Sequence, residues 1–405
     1  MQITIVGGGF GGVKAALALS KKKNAYITLI TDKPDFQYYP ALYGTATGKS
    51  HLQSWIPLGE IFAGHDNVNV IIDSVTKLDK TAKTITTASG AVHPYNKLVL
   101  ALGSVTTYFG IPGLTDFAYG IKSHDEITRL KQHLYEEFAK TDGVDKDFLI
   151  VGAGPTGVEL ASALGTYLNH LKNRSGKHQP RVTISIIEAN ARVLPRMSEQ
   201  ASAMVAAQLK KLHVHVELSK KVEEETADSL IVSGKPIKSH TVIWTSGVAN
   251  NPFFKDNADQ FELSPNGKVV VDKHMRSGHD VYVIGDNAFT QWSGLAQTAL
   301  HDGIFVAKHI LGTSTKPYEA KLPPVVVPVG ENWAVFEYKG LRFGGRIGAL
   351  IRSAADFVGY SDILPFGQAL GKWRAQKVSE EFFPIAQPIT EPIVAPINEP
   401  GVEKA

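Results

Sequence analysis

The 405-residue chain contains no cysteine. That absence removes disulfides, thiolate metal sites, iron–sulfur ligation and dithiol redox chemistry together. A dominant charge is also lacking. The formal net charge is +3, from 42 Lys and Arg against 39 Asp and Glu, and no long basic run argues for nucleic acid. No stretch of about 18 apolar residues occurs, so no helix is expected to cross a bilayer. No signal segment is expected before the first strand, and the default compartment is the cytoplasm. With 43% hydrophobic and 20% charged residues, the chain has the composition of a globular protein and the length for two or three domains.

What the chain does have is one glycine signature twice, about 145 residues apart. The first is Gly7-Gly8-Gly9-Phe10-Gly11-Gly12, a GxGxxG on Gly7, Gly9 and Gly12. The second is Gly152-Ala153-Gly154-Pro155-Thr156-Gly157. Each follows a strand-like apolar run (3–6 and 148–151) and opens a helix-like one. In that setting the glycines make a tight turn, let backbone N–H groups approach a pyrophosphate, and let the helix pack closely on its strand, with the helix N-terminus facing the anion. A lone GxGxxG is weak. Two in β-turn-α context imply two dinucleotides, and electrons passing between them.

Around each loop the sequence predicts a βαβ unit. In the first, residues 26–30 return as a strand, where an acidic side chain is expected to hold the adenosine ribose. Thr31 stands at that place and Asp32 just after it; Asp32 is the candidate. In the second unit the strand over 182–187 ends in Glu188. A carboxylate there accepts from both ribose hydroxyls and repels a 2′-phosphate, which favours NADH over NADPH, with Arg192 and Arg196 near enough to weaken the preference. Residues 166–181 form a polar insertion, expected to extend the helix and end in a loop. The aromatic and glycine-rich stretch from Phe36 to Gly48 is either a functional wall or a surface excursion. Ile111-Pro112-Gly113 marks a domain crossover. The strand over 281–284 ends in Gly285-Asp286, at the end of a parallel sheet where ligands gather.

The character changes from about residue 331. Over 346–360, Ile347, Leu350, Ile351, Ala354, Phe357 and Val358 recur at helical spacing, and residues 338–378 hold seven Lys and Arg against two Asp. Phe343, Phe366 and Trp373 are expected to be exposed among them. A basic amphipathic helix of this kind suits the headgroup region of an anionic bilayer, or packing on its own protein or a dimer mate. The tail from Ile385 is expected to be disordered.

The arrangement resembles the flavoproteins of the glutathione-reductase type: an α/β fold with two Rossmann-like dinucleotide-binding domains, here with a C-terminal amphipathic α region. Within that group the chain looks most like type II NADH dehydrogenase, the single-subunit NADH:quinone oxidoreductase. The residues that carry this are 95–104, Phe109 to Gly113 with Lys122-Ser123, Gly154 to Ala161, and Ala296-Gln297-Thr298-Ala299, which is similar to the family's AQxA motif. The resemblance implies an FAD domain over 1–113 and 245–330, an NADH domain over 114–244, a membrane-surface or dimerisation region over 331–384, and a tail over 385–405. It places FAD on Gly7, Gly9, Phe10, Gly12, Asp32, Gly103, Asp286 (at the ribityl chain), Ala296, Gln297 and Thr298. It places NADH on Gly152, Gly154, Pro155, Thr156, Gly157, Glu188 and Gly247. Glu159 is implied beside the nicotinamide and Gln297 at the quinone path, with no metal; apart from the resemblance, His301 is a candidate proton donor because it titrates around neutral pH near that segment. Leu295 stands where the family has a proline, and His301-Asp302 where it has Gln-Gln.

The activity implied is hydride transfer from NADH to FAD, then two-electron reduction of a quinone without proton pumping. The enzyme would sit peripherally on the cytoplasmic face of the membrane, as a homodimer. The alternatives are an NAD(P)H-dependent reductase of a ferredoxin- or rubredoxin-type protein, and a slow flavin redox sensor. Disulfide reductases and sulfide:quinone oxidoreductases need thiols that this chain does not have.

Overall fold

In the structure, a computed structural model that describes residues 1–139, 145–175 and 182–380, the first glycine turn joins strand β1 (Gln2–Val6) to helix α1 (Phe10–Ser20), and the chain returns as β2 (Tyr26–Thr31). Ile3, Thr4 and Ile5 are all fully buried, as a parallel strand covered on both faces requires. After the short helix α2 (Leu42–Ala46), strands β3 (Val68–Ile72) and β4 (Lys97–Leu100) pair in parallel with β2 and β1.

Strand β5 (Ser104–Thr106) carries the chain towards a second sheet. Helix α3 (His124–Ala139) precedes strand β6 (Asp147–Val151), and the second glycine turn leads into helix α4 (Pro155–Ser175). Of the predicted polar insertion, residues 166–175 continue this helix, and 176–181 lie outside the described residues. Strand β7 (Thr183–Ile187), helix α5 (Glu199–Lys211), strand β8 (Val214–Glu217) and strand β9 (Thr241–Trp244) complete a four-stranded parallel sheet in the order β8-β7-β6-β9. Strand β10 (Val248–Asn250) then runs back antiparallel to β5, so the outward and return crossings lie side by side.

Strand β11 (Val281–Val283) pairs with β4 and closes the first sheet as β11-β4-β1-β2-β3, all parallel. Helix α6 (Ala296–Ile310) packs on α1. The approach is close because Gly303 faces Gly11: a Cβ on Gly303 would lie 2.5 Å from the Gly11 carbonyl oxygen.

The carboxy-terminal part is a three-stranded antiparallel sheet, β12 (Val325–Pro328), β13 (Ala334–Tyr338) and β14 (Leu341–Gly345), followed by helices α7 (Arg346–Ser361) and α8 (Phe366–Ala375). The β13–β14 hairpin turns on Lys339 and Gly340, both at positive φ (47° and 84°), the backbone that a two-residue turn needs to match strand twist.

Helix α7 forms where the apolar spacing predicts it, but with much of its apolar stripe outward, while Phe357 packs against the first core. Ile347 (66%), Leu350 (71%) and Val358 (59%) are exposed, as is Phe366 (70%) on α8. The inward face is polar. Tyr360 Oη donates to the Gln53 carbonyl (2.7 Å), Tyr38 Oη donates to Asp356 (3.3 Å), and the Tyr38 and Tyr360 rings lie 4.2 Å apart. Lys14 on α1 pairs with Asp362 at 2.7 Å, and Lys372 on α8 pairs with Glu60 at 2.9 Å.

Two of the three aromatics expected to be exposed are half-buried instead. The Trp373 indole N–H donates to the Ser353 carbonyl at 2.9 Å, and Phe343 stacks on Phe336. Each is held by a partner that the spacing of residues along its own element does not reveal. The tail from Ile385 lies outside the described residues.

These docking contacts stitch two cores together. Tyr360 and Ile363 belong to the core around the first sheet, Val327 and Val335 to the core around the second. Leu42 and Ala46, from the aromatic stretch after β2, also enter the second core, as does Trp55 beyond it. That stretch is therefore a wall between the two halves. Tyr360→Phe removes the hydroxyl from the Gln53 carbonyl and is expected to cost about 1–2 kcal/mol, read as a lower urea midpoint at unchanged m-value.

Candidate functional site

Both glycine loops are built alike. In the first, Gly7 sits at φ +108°, and a Cβ there would run into the Ala101 carbonyl oxygen; a Cβ on Gly12 would run into the Gly7 carbonyl oxygen. Gly9 is different, because a Cβ there would meet nothing within 4 Å. In the second loop, Gly152 (φ +109°) is closed by Ser246 and Gly157 by the Gly152 carbonyl, while Gly154 again faces open space. The outer glycines are thus demanded by the fold and the middle ones border a space, as a loop that cradles a pyrophosphate requires.

Neighbouring residues refine the first cradle. Thr31 is buried beneath Gly8, and Asp32 is exposed beside it. The Phe10 side chain is buried edge-on against Phe36 at 4.8 Å, so it builds the wall behind the loop and is not open to a ligand. Gly103 is gripped at both ends by Asn287, whose Oδ1 accepts from its N–H (2.9 Å) and whose Nδ2 donates to its carbonyl (2.7 Å). Asn287 is fully buried and also donates to Asn250. Its place directly after Gly285-Asp286 was its only signal in the sequence.

In the second cradle, Glu188 is buried at the end of β7. Its carboxylate accepts from the Ala153 N–H inside the loop at 2.7 Å and from Asn190 at 2.8 and 2.6 Å. Arg192 donates to the Pro195 and Met197 carbonyls and to Ser202. It is therefore committed to its own loop, and the expected weakening of NADH preference does not come from it. Arg196 is exposed. Pro155 and Thr156 open α4, and Gly247 (φ +76°) packs on the Thr107 carbonyl where the two crossings meet.

Asp286 sits in a tight turn after β11, with its carboxylate accepting from Ser104 Oγ at 2.7 Å. The turn is braced from α6 by Asp302, fully buried, which accepts from the Gly285 N–H (3.0 Å) and from Tyr318 Oη (2.6 Å). Burial pushes the Asp302 carboxyl up to about 6.

Helix α6 begins at Ala296 with no side-chain cap from Leu295, so its first-turn N–H groups have no capping side chain. Gln297 is exposed; Thr298 is buried and its hydroxyl has no hydrogen-bond partner. An orphaned hydroxyl at an uncapped helix start, on the helix packed against the first glycine cradle, fits a bound nucleotide cofactor. His301 lies on α6 with its ring 5.5 Å from that of Tyr318. Burial, with Lys321 and Lys308 nearby, draws its pKa below the usual 6.5, so it is mostly neutral at pH 7.

Glu159, near the start of α4, is buried and paired with Arg352 of α7 at 3.0 Å. Burial pushes its carboxyl up to about 7 although Arg352 opposes the shift. Arg352 also pairs with Asp356 at 3.0 Å and donates to the Pro40 carbonyl at 2.6 Å. Counted by sequence among the basic residues of an amphipathic surface, Arg352 in fact points inward. Its i, i+4 spacing to Asp356 is the one local sign of that. Among the described residues no group of three or more His, Asp or Glu is arranged to hold a metal ion.

Comparison with known proteins places this geometry. A family model described as pyridine nucleotide-disulphide oxidoreductase matches residues 1–303. The chain is 29% identical over 333 residues to the type II NADH:quinone oxidoreductase Ndh of Mycobacterium tuberculosis, covering 76% of this chain and 72% of that protein. It is 27% identical over 382 residues to the type II NADH:quinone oxidoreductase of Staphylococcus aureus, covering 88% and 94%. In fold it is similar to NDH2 from Plasmodium falciparum in complex with NADH (TM-score 0.83, 18% identity, 93% and 97% covered). It is also similar to the sulfide:quinone oxidoreductase from Aquifex aeolicus (TM-score 0.75, 17% identity, 93% and 91% covered).

The contrast between glycines is testable. Gly9→Ala is expected to leave apo-protein stability within about 0.5 kcal/mol while lowering nucleotide retention at the first cradle. Gly12→Ala is expected to lower both. Thermal unfolding and bound-flavin content of the two variants separate the roles.

Proposed function

The chain belongs to the pyridine nucleotide-disulphide oxidoreductase family, and on that premise we propose that it is a type II NADH:quinone oxidoreductase using FAD. The observation that carries the reading is the likeness to curated type II enzymes over most of the chain, in a molecule with two open glycine cradles and no thiol. The bound flavin supplies two-electron chemistry between NADH and a quinone, without proton pumping.

The residues divide between two halves. Residues 1–113 and 245–330 are assigned to FAD, with Gly9 bordering the diphosphate, Asp32 at the exposed rim for the ribose, and Asp286 for the ribityl chain. Residues 114–244 are assigned to NADH, with Gly154 bordering its diphosphate and Glu188 facing the adenosine ribose. Glu188 already holds the Ala153 N–H; a carboxylate has about four acceptor sites, so it can accept ribose hydroxyls as well. Glu159 holds a proton near neutral pH on a carboxyl that Arg352 orients. Gln297, exposed at the start of α6, is assigned to the quinone path.

Residues 331–384 are assigned to the membrane surface. Among the described residues no helix is long and apolar enough to cross a bilayer. The outward side chains Ile347, Leu350, Val358 and Phe366, with Lys339, Arg346, Arg374 and Lys377 beside them, suit an anionic surface. We place that surface on the cytoplasmic face and the enzyme in a homodimer.

The test is NADH oxidation by the purified protein with a short-chain quinone, with and without anionic liposomes. Sustained turnover, raised by liposomes, is expected. Flavin that NADH reduces promptly but no quinone reoxidises would reject quinone reduction in favour of a protein reductase or a sensor. Glu188→Ala is expected to raise the KM for NADH severalfold while sparing bound FAD. Because the folded Glu159 pKa is raised to about 7, its proton is present below that pH and lost above it. A limb of kcat that falls through about pH 7 is therefore expected, and Glu159→Gln should abolish that limb.

A further inference from the structure

One buried cation is left without a partner at the boundary of the two nucleotide halves. Among the described residues, Lys122 is the one lysine whose ammonium is buried with no hydrogen-bond partner. Its side chain is placed by a capping box at the start of α3. The Ser123 hydroxyl accepts from the Glu126 N–H at 3.1 Å, and the Glu126 carboxylate accepts from the backbone N–H groups of Lys122 and Ser123 at 2.5 and 3.2 Å. Gly120 leaves room for this fold-back, since a Cβ there would lie 2.5 Å from the Glu126 carboxyl carbon. One oxygen of Glu126 thus takes two main-chain donors, and the neighbouring ammonium is bonded to neither oxygen.

The surroundings of that ammonium are anionic. Burial lowers the Lys122 pKa, while Glu126 and Asp286 oppose the shift. Asp286 and Asp32 belong to the first sheet's half. Lys122 belongs to the second, where Tyr119, three residues before it, bridges to Ile243 of β9. Two residues beyond Lys122, the His124 ring meets Trp55 of residues 1–113 at 5.0 Å, so this segment lies against the flavin half. A buried ammonium with unmet donors is costly unless an anion meets it. The anion expected in this cleft is a flavin dinucleotide, which carries a diphosphate and gains negative charge on reduction.

We propose that the Lys122 ammonium is a cationic ligand of the bound FAD, reaching across from the other half beside Asp286, and that it holds the flavin's reduction potential up. The assignment rests on the flavin reading of the first cradle. A fixed positive charge near the flavin favours the form that carries more negative charge.

The experiment is spectroelectrochemical titration of the holoenzyme and of Lys122→Met, Lys122→Arg and Glu126→Gln, alongside FAD dissociation and formation of the flavin–sulfite adduct. Lys122→Met is expected to lower the two-electron reduction equilibrium constant tenfold or more, a shift of about 30 mV or more to negative potential, and to weaken FAD and sulfite binding at least tenfold. Lys122→Arg restores most of the potential. Glu126→Gln, which keeps an acceptor oxygen for the two main-chain donors but removes the charge, shifts the potential the opposite way. A merely structural lysine would not give shifts of opposite sign. An unchanged potential in Lys122→Met overturns the proposal, whatever happens to affinity. Should that variant fail to fold, an unchanged or more negative potential in Glu126→Gln overturns it. A wild-type protein that binds no FAD would instead sink the flavin reading itself.

Discussion

The Arg352 guanidinium is the contact on which the arrangement of the parts depends. It reaches Asp356 on its own helix, Glu159 on the helix after the second glycine loop, and the Pro40 carbonyl in the aromatic stretch after β2. Three regions far apart in sequence therefore meet on one buried charge. Removing one partner from such a group costs about 3–5 kcal/mol, because the remaining charge is stranded. Burial that raises the Glu159 pKa to about 7 and the cation that restrains the rise belong to the same construction. The geometry that orders the molecule also tunes the Glu159 carboxyl on the helix that follows the second cradle.

That contact explains the orientation of the carboxy-terminal helix. An amphipathic helix ordinarily buries its apolar stripe. Here the inner face carries Gly348, Arg352, Asp356 and Tyr360, and their hydrogen bonds and ion pairs do the docking. The apolar stripe is left outside, where an exposed patch of this kind marks an interaction surface. A bilayer surface on one side, and the protein itself or a dimer mate on the other, were even expectations for this stripe. The polar face finds complementary partners on Tyr38, Gln53 and Glu159, and Ile347, Leu350 and Val358 stay exposed.

How legible each part was depends on how local its cause is. The two glycine loops were readable because their logic closes within six residues: Gly12 is dictated by the Gly7 carbonyl, and Gly157 by the Gly152 carbonyl. The strands were readable from apolar runs, and α7 from its period. The partners of those elements were not. Nothing near Phe10 announces that Phe36 would bury it, and nothing near Trp373 points to Ser353. Asn287 and Asp302 stood one and sixteen places from Asp286 without showing that they brace its turn. Nothing in the sequence near His301 showed that its ring would lie against Tyr318.

By itself, then, the sequence determined the two nucleotide cradles, the parallel βαβ units around them, and the exclusion of thiol chemistry, because glycine backbone freedom, strand period and the absence of an element are local properties. Only the tertiary structure decided which acid Arg352 meets, which face of the last long helix looks outward, and which lysine keeps a buried ammonium without a hydrogen-bond partner. Arg352 and Glu159 are 193 residues apart. A pair at that separation leaves no periodic trace in the chain, and its energy exists only once folding has removed water from between the two charges.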